Sequence, residues 1–130
     1  MSKFVRDVMS RGVVTCAPDI TVREAARRMV EHHLNALVVV DGASGELEGI
    51  ISRSDLARVY DQDYDALTVE SIMIQDVETI IPGIPVSAAV MIMQDRGVDR
   101  LVIMHSKPAP QRPVAVLSLS DIVRDIAGLE

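Results

Sequence analysis

The chain contains two copies of one sequence pattern, and this repeat constrains the fold more than any other feature. Residues 5–9, VRDVM, return 64 positions later as residues 69–73, VESIM. The same offset joins further residues of matching type: Thr15 with Thr79, Pro18 with Pro82, Met29 with Met93, and Val38 with Val102. Two copies are too few for a solenoid, which needs three or more stacked units. We therefore predict that the copies cover each other's apolar faces as a pseudo-dimer.

Each copy has the pattern of a short strand, a helix, two strands and a second helix. Thr21 is the predicted N-cap of the first helix, because Glu24 follows it at capping-box spacing and apolar residues then recur at helical spacing. Residues 37–40, LVVV, are apolar and rich in β-branched side chains, which predicts a buried strand, and residues 47–51, LEGII, are the predicted hairpin partner. A second helix is predicted over about residues 56–60.

An acidic stretch separates the copies and sets the predicted boundaries. These are repeat one at residues 1–60, an acidic linker at 61–67 and repeat two at 68–130. Residues 61–65 lack the sixth-position glycine and twelfth-position glutamate of a calcium loop, so a solvated linker is the interpretation. In the second copy, residues 105–113 contain three prolines, which predicts an extended surface loop and no strand.

Composition limits the classes of partner. A formal net charge of −6 and a pI near 5.0 argue against nucleic acid and against an anionic membrane surface. The apolar runs are far too short to span a bilayer, and no long apolar stretch follows the N-terminal residues, so we expect neither a membrane span nor a secretory signal. The single cysteine, Cys16, cannot form an internal disulfide. We interpret it as an inert packed residue of a cytoplasmic protein.

A polar motif follows the last predicted strand of each copy. Residues 52–55 read SRSD and residues 118–121 read SLSD, each directly before a helix. Hydroxyls and backbone N–H groups at a helix N-terminus favour an anion, and a first-turn aspartate can accept hydrogen bonds from the vicinal hydroxyls of a ribose. The alternative is structural: Ser54 and Ser120 are only N-caps, and the aspartate that follows each is a favourable first-turn acid.

Over about residues 3 to 127 the chain resembles a tandem pair of CBS domains, also called a Bateman module. The resemblance rests on the opening pattern that ends in Met9 and Met73, on the strand at residues 37–40 and on the two closing SxSD motifs. It implies an α/β fold of two CBS repeats, each β-α-β-β-α, packed as a pseudo-twofold pair. Because the resemblance covers nearly the whole sequence, we expect no attached effector domain.

The resemblance also implies a regulatory function. Such modules bind an adenine nucleotide or another adenosyl compound and modulate a partner protein. The expected ligand is AMP, ADP or ATP, with NAD or S-adenosylmethionine as further possibilities. The effector protein is a separate, unknown chain.

Two ligand clefts between the repeats follow from the same resemblance. The cleft around Asp121 would draw on both copies: Ser118, Ser120, Asp121, Arg100, Phe4, Met9, Leu34, Asn35 and Ala36. The cleft around Asp55 would likewise use Ser52, Arg53, Ser54, Asp55, Thr68, Met73, Val98 and Asp99. The family often has a threonine directly before the opening motif. Thr68 matches this pattern, and Phe4, at the same position of the first copy, does not. We expect the Asp121 cleft to bind more strongly, because Arg100 offers a charge-assisted phosphate contact where the other copy has Ala36.

Two rival classes compete with this hypothesis. The first is a structural or interaction protein whose clefts are degenerate and empty. The second is an enzyme, which the sequence disfavours because no Ser/His/Asp, Cys/His or paired-carboxylate arrangement has a positioned partner. No metal site is expected either, since His32, His33 and His105 lack a carboxylate or cysteine at ligand spacing.

A homodimer is the last expectation. Residues 86–93 form a helical segment that is apolar on more than one face, which is typical of a helix buried on two sides. We therefore predict that the helix carrying Ala88, Met91 and Ile92 lies against a helix of a second copy.

Overall fold

The computed structural model describes residues 3–9, 12–105 and 112–128. The first half of the chain forms α1 (Val5–Val8), β1 (Thr15–Cys16), α2 (Val22–Glu31), β2 (Ala36–Val40), β3 (Leu47–Ser52) and α3 (Arg53–Arg58). The second half forms a 3₁₀ turn (Val69–Ser71), β4 (Thr79–Ile80), α4 (Val86–Arg96), β5 (Arg100–Met104), β6 (Pro113–Ser118) and α5 (Leu119–Ile126). The α/β class and the β-α-β-β-α order are confirmed in both copies. No helix within these ranges is long and apolar enough to cross a membrane.

These elements form two compact units whose bounds differ from those of the sequence repeats. The central unit runs from Val14 to Val77, and it is continuous in sequence. The split unit combines the N-terminal residues up to Val13 with the chain from Glu78 onward. Each unit contains one three-stranded sheet and one aliphatic core.

In the central unit, β2 is the middle strand, parallel to β1 and antiparallel to β3. The register pairs Val38 with Ile50, which confirms the predicted hairpin. Thr21 caps α2 as predicted, because its side chain accepts a hydrogen bond from the Glu24 N–H at 3.1 Å. Burial of a large aliphatic side chain contributes about 1.5–3 kcal/mol. The core takes such side chains, with smaller ones, from strands, helix and 3₁₀ turn: Cys16, Ala25, Met29, Leu37, Val39, Ile51 and Val69.

The split unit repeats this sheet with β5 as the middle strand. Pro113 opens β6 opposite Met104, so the prediction that the proline loop extends through Pro113 without strand is wrong at that residue. Proline is tolerated there because the first residue of a strand needs no ladder donor. Residues 106–111 of the predicted loop lie outside the described residues. The core consists of Val5, Ile80, Ala89, Met93, Leu101, Ile103, Ala115 and Leu117.

The opening segment of each sequence copy closes the unit that holds the other copy's helix and sheet. In the split unit, the Val5 N–H donates to the Ile84 carbonyl at 2.9 Å, and the Val86 N–H donates to the Lys3 carbonyl at 2.9 Å. In the central unit, the Val69 N–H donates in the same way to the Ile20 carbonyl at 2.9 Å. Val5 and Val69 are both fully buried, so each segment fills a core as well as pairing its backbone.

The acidic linker packs onto the start of α2. Arg23 Nε lies 2.6 Å from Asp65 Oδ1, and the Arg23 guanidinium lies over the Tyr64 ring at 5.5 Å. The hydrogen bond from Arg23 lowers the pKa of Asp65 below its ordinary value. The stabilisation from this pair is therefore present at neutral pH and is lost as the pH falls through that lowered pKa. The predicted solvated linker is exposed, but it is tied to one helix.

Helix α4 covers its own sheet with one face. Ala89 and Met93 are buried, and Ile92 packs against the same core from a half-buried position. This differs from the expectation that both Met91 and Ile92 need a partner, because only Met91 stays strongly exposed, at 61%. Helix α5, which the sequence analysis did not single out, has no buried residue, and its exposed apolar side chains recur at i, i+4 and i+7: Leu119, Val123 and Ile126.

Gly49 marks a close approach between β3 and the segment after the 3₁₀ turn. A Cβ on this residue would lie 2.7 Å from the Ile74 carbonyl oxygen and 2.8 Å from Met73 Sδ. Moving the Ile74 backbone would strain or break two hydrogen bonds of 2.9 Å that Ile50 and Ile74 exchange. The matching residue of the split unit, Ala115, is buried, so a Cβ fits there.

We expect Gly49→Ala to destabilise the protein by about 1–3 kcal/mol, because the methyl group must displace the Ile74 backbone. Thermal unfolding followed by circular dichroism measures the effect. Gly42→Ala is the control, since a Cβ at Gly42 meets no atom within 4 Å. An unchanged melting temperature for Gly49→Ala would show that the segment at Ile74 moves freely.

Candidate functional site

In the split unit, β6 ends in a turn of four residues, here called the Asp121 turn (118–121). Ser118 has extended backbone angles and is the N-cap of α5. The Ser118 N–H and hydroxyl both donate to Asp121 Oδ2, at 2.8 and 3.2 Å, and the Asp121 N–H donates back to Ser118 Oγ at 3.4 Å. This reciprocal capping box fixes the carboxylate one turn into the helix.

The matching turn of the central unit, here called the Asp55 turn (52–55), has the same construction. Ser52 caps α3, and its N–H and hydroxyl donate to Asp55 Oδ2 at 2.8 and 2.9 Å. The structural alternative named Ser54 and Ser120 as the caps, which is wrong, because the last strand residue caps each helix and the helix begins at once. Ser54 instead shares a 3.0 Å hydrogen bond with the Ser52 hydroxyl.

The two aspartates differ in their second carboxylate oxygen. Asp55 Oδ1 accepts a hydrogen bond from Arg58 Nη1 at 2.8 Å, and Asp55 is only 3% exposed. Asp121 is less buried, and within residues 3–9, 12–105 and 112–128 its hydrogen bonds all go to Oδ2. Arg124 stands at the position that matches Arg58, yet it makes no ion pair with Asp121 in the described chain. The sequence carried a signal for this pair, since Arg58 follows Asp55 at i, i+3 spacing.

Arg100 lies beside the Asp121 turn, as its position on the preceding strand suggested. It is the register partner of Ser118 on β5, and the matching residue of the central unit, Ala36, is the partner of Ser52. Arg100 Nε lies 3.1 Å from Asp99 Oδ1, so a carboxylate already faces this guanidinium. The Asp99 carbonyl also accepts from the Leu119 N–H at 3.0 Å, which joins the start of β5 to the start of α5.

Two further predicted residues of the Asp121 cleft, Phe4 and Met9, belong to the same unit as Asp121. Met9 packs against the core of that unit. Phe4 is 37% exposed, and the Arg6 guanidinium lies over its ring at 4.5 Å. Lys3, which the sequence analysis did not consider, forms a 2.6 Å ion pair with Asp125, one helical turn beyond Asp121. The N-terminal segment is therefore anchored to the helix that carries the candidate ligand-binding aspartate.

The remaining predicted residues divide between the two units. Thr68 and Met73 lie in the central unit, which also contains the Asp55 turn. Leu34, Asn35 and Ala36 also lie there, and the Asn35 carbonyl accepts from the Arg53 N–H at 3.1 Å. Val98 and Asp99 lie in the split unit. The assignment of these last five residues to the cleft of the opposite copy stays a prediction.

The described residues contain neither a metal-ligand cluster nor an activated thiol. They contain no group of three or more His, Cys, Asp or Glu side chains that could hold a metal ion. Burial raises the pKa of the Cys16 thiol to about 11, and the nearby Arg28 offsets this only in part. A thiol held in its protonated form is a poor nucleophile, which agrees with the packed role predicted for it.

A comparison with protein-family models matches both copies to the CBS domain, over residues 5–62 and 69–128. The chain belongs to the CBS-domain family. Both CBS matches end beyond the SxSD motif, so each includes one aspartate turn.

Relatives known from curated proteins include a small uncharacterized protein and a longer enzyme. An uncharacterized 17.7 kDa protein of Acidianus ambivalens is 30% identical over 131 residues, which is 100% of this chain and 79% of that protein. The L-aspartate semialdehyde sulfurtransferase of Methanocaldococcus jannaschii is 29% identical over 125 residues, which is 96% of this chain but only 23% of the enzyme. The chain therefore spans less than a quarter of the sulfurtransferase it matches.

Solved structures include CBS domain pairs with the same fold. The CBS domain pair of protein MJ0100, solved in complex with 5′-methylthioadenosine and S-adenosyl-L-methionine, superposes with a TM-score of 0.85 at 29% sequence identity. The match covers 98% of this chain and 98% of that one.

Proposed function

We propose that this CBS pair is a cytoplasmic, non-catalytic regulatory module that binds an adenosyl compound at the Asp121 turn and modulates a separate effector protein. The observation that carries the proposal is that Oδ1 of Asp121 accepts no hydrogen bond from any residue that the structure describes. Its other oxygen is fixed by Ser118, so the carboxylate is held in place and keeps one acceptor for a ligand. A carboxylate in this state suits the two hydroxyl donors of a ribose.

The MJ0100 complex supports the adenosyl class, because that CBS pair holds two compounds whose shared group is adenosine. Arg100 supports a phosphorylated member of the class, AMP, ADP or ATP, since it neighbours Ser118 in the sheet register. Asp99 offsets part of the positive charge of Arg100. Because that pairing lowers the net positive charge near the turn, the proposal also includes uncharged or cationic ligands such as 5′-methylthioadenosine and S-adenosylmethionine. It includes NAD as well, which contains the same adenosyl group.

Thermal unfolding in the presence of AMP, ATP, NAD, S-adenosylmethionine and 5′-methylthioadenosine tests the proposal. A ligand that binds only the folded state raises the melting temperature with its concentration. At about 100 times its dissociation constant the gain is about 2.7 kcal/mol. If all five compounds leave the transition unchanged at millimolar concentration, the rival hypothesis of a structural protein with empty clefts is correct.

Arg100 provides a test of ligand charge. We expect Arg100→Ala to lower the affinity for ATP by about ten-fold, because a guanidinium acts on phosphates through charge. The affinity for ADP should fall less, and the affinity for adenosine should not change. Calorimetric titration at constant ionic strength measures the series. Asp99→Asn is the opposing control. It removes the carboxylate that faces Arg100, so it should raise the affinity for ATP. Equal losses for adenosine and ATP would mean that Arg100 does not face the phosphates.

The proposed assembly is a homodimer through the exposed apolar side chains of the split unit. The sequence expectation used Ala88, Met91 and Ile92 of α4. With Ile92 packed in its own core, the proposal keeps Met91 and adds Leu119, Val123 and Ile126 of α5. A stripe of large apolar side chains on one helix face costs free energy in water, and a symmetric contact would bury it twice.

A further inference from the structure

The two aspartate turns carry the same serine–aspartate capping box, but among the described residues only the Asp55 carboxylate also forms an ion pair, with Arg58. Arg58 Nη1 lies 2.8 Å from Asp55 Oδ1, the oxygen that corresponds to Oδ1 of Asp121. In both turns Oδ2 accepts two hydrogen bonds from the capping serine. The hydrogen bonds to the two carboxylates therefore differ at Oδ1, the oxygen proposed to accept from a ribose.

We propose that Arg58 closes the Asp55 turn to adenosyl ligands, so that the module binds one such ligand per chain, at Asp121. This inference rests on the proposed function, because it takes a ribose diol as the group that the carboxylate would bind. A diol donates both hydroxyl protons to the carboxylate, and at Asp55 a guanidinium N–H already takes one of the two acceptor positions of Oδ1. Burial of Asp55 strengthens the exclusion, since the carboxylate has little surface left for a second donor.

The closure is reversible, because only one of the two partners is buried. The Arg58 side chain is 71% exposed, whereas the Asp55 side chain is 2% exposed. The exposed Arg58 guanidinium can turn into solvent, but this leaves the buried Asp55 carboxylate without its ion-pair partner unless a ribose hydroxyl replaces Arg58 as donor. Arg58 is therefore a specificity-determining residue that competes with ligand for one oxygen atom. Arg124 shows the open arrangement at the same position of the other copy.

Calorimetric titration with 5′-methylthioadenosine tests the inference in the full chain. This probe carries no phosphate, so loss of the Arg58 charge does not alter long-range attraction to the ligand. The wild-type protein should bind one equivalent, and Asp121→Asn should weaken that event by about ten- to hundred-fold. Arg58→Gln should add a second event or strengthen binding at Asp55 by about five-fold or more. The double variant Arg58→Gln, Asp121→Asn should then retain one equivalent, bound at Asp55.

Arg124→Gln is the matched control, since it removes the same side chain at the same helix position without an ion pair to release. It should leave both stoichiometry and affinity unchanged. The inference is overturned if wild-type protein binds two equal equivalents, or if Arg58→Gln and Arg124→Gln behave alike. Failure of the proposed function has a different signature: neither wild type nor Arg58→Gln binds the probe. Circular dichroism of each variant shows whether it is folded before titration.

Discussion

Asp121→Asn is expected to lower the affinity for an adenosyl ligand by about ten- to hundred-fold. The asparagine keeps the size of the side chain and one carbonyl oxygen for the Ser118 N–H, so the capping box is largely preserved. It loses the charge-assisted bonds to ribose hydroxyls, which contribute about 1.5–3 kcal/mol. Calorimetric titration with AMP or 5′-methylthioadenosine measures the loss.

Asp55→Asn is the matched variant for this experiment. The same chemical change at Asp55 removes the charge that pairs with Arg58, so it should lower stability while leaving the ligand affinity within about two-fold of wild type. A reversed result, with Asp55→Asn abolishing binding and Asp121→Asn binding normally, would move the ligand to the central unit.

Val123→Asp is expected to convert a dimer into a monomer. Val123 is 63% exposed at the middle of the α5 apolar stripe, so a carboxylate there leaves the fold of the single chain intact. In a symmetric contact the two carboxylates would each lose water without a partner, and the dimer should weaken by about a hundred-fold or more. Sedimentation velocity at micromolar concentration measures the change.

Val30→Asp is the control for this variant, because Val30 is an exposed valine on α2 of the central unit. It introduces the same charge and should leave the dimer unchanged. Met91→Asp tests the α4 part of the contact, whereas Ile92→Asp would place a charge against the core and confuse dissociation with unfolding. A monomeric wild-type protein would overturn the proposed interface.

Local signals predicted the elements because the residues that define them are close in sequence. Thr21 and Glu24 set the start of α2, and the two β-branched runs set the central hairpin. The start of α3 was predicted too late, because Ser52 serves both as the last strand residue and as the helix cap. Arg58 followed Asp55 at a spacing that permits an ion pair, but the matching Arg124 shows that spacing alone does not decide it.

Long-range arrangement lay beyond these signals. The sequence repeat suggested two halves that meet at the acidic linker, but the backbone bonds of Val5 to Ile84 and of Val69 to Ile20 place each opening segment in the unit of the other copy. Those segments are short, and their sequence carries no pattern that indicates where they pair. Helical spacing shows that Val123 and Ile126 share one face of α5. It does not show whether that face is covered or exposed, so their exposure could not be predicted.

The division into a central and a split unit has a consequence for the order in which the chain folds. Every contact within residues 14–77 can form as soon as residue 77 leaves the ribosome. Residues 3–9 are synthesised before residues 14–77, but their partners in the split unit are synthesised only from Glu78 onward. Val5 therefore stays unburied until that later part of the chain is available. A circular permutant that begins at Glu78 and links residue 130 to residue 1 would make both units continuous. It would lower the sequence separation that the split unit must close, which favours faster folding.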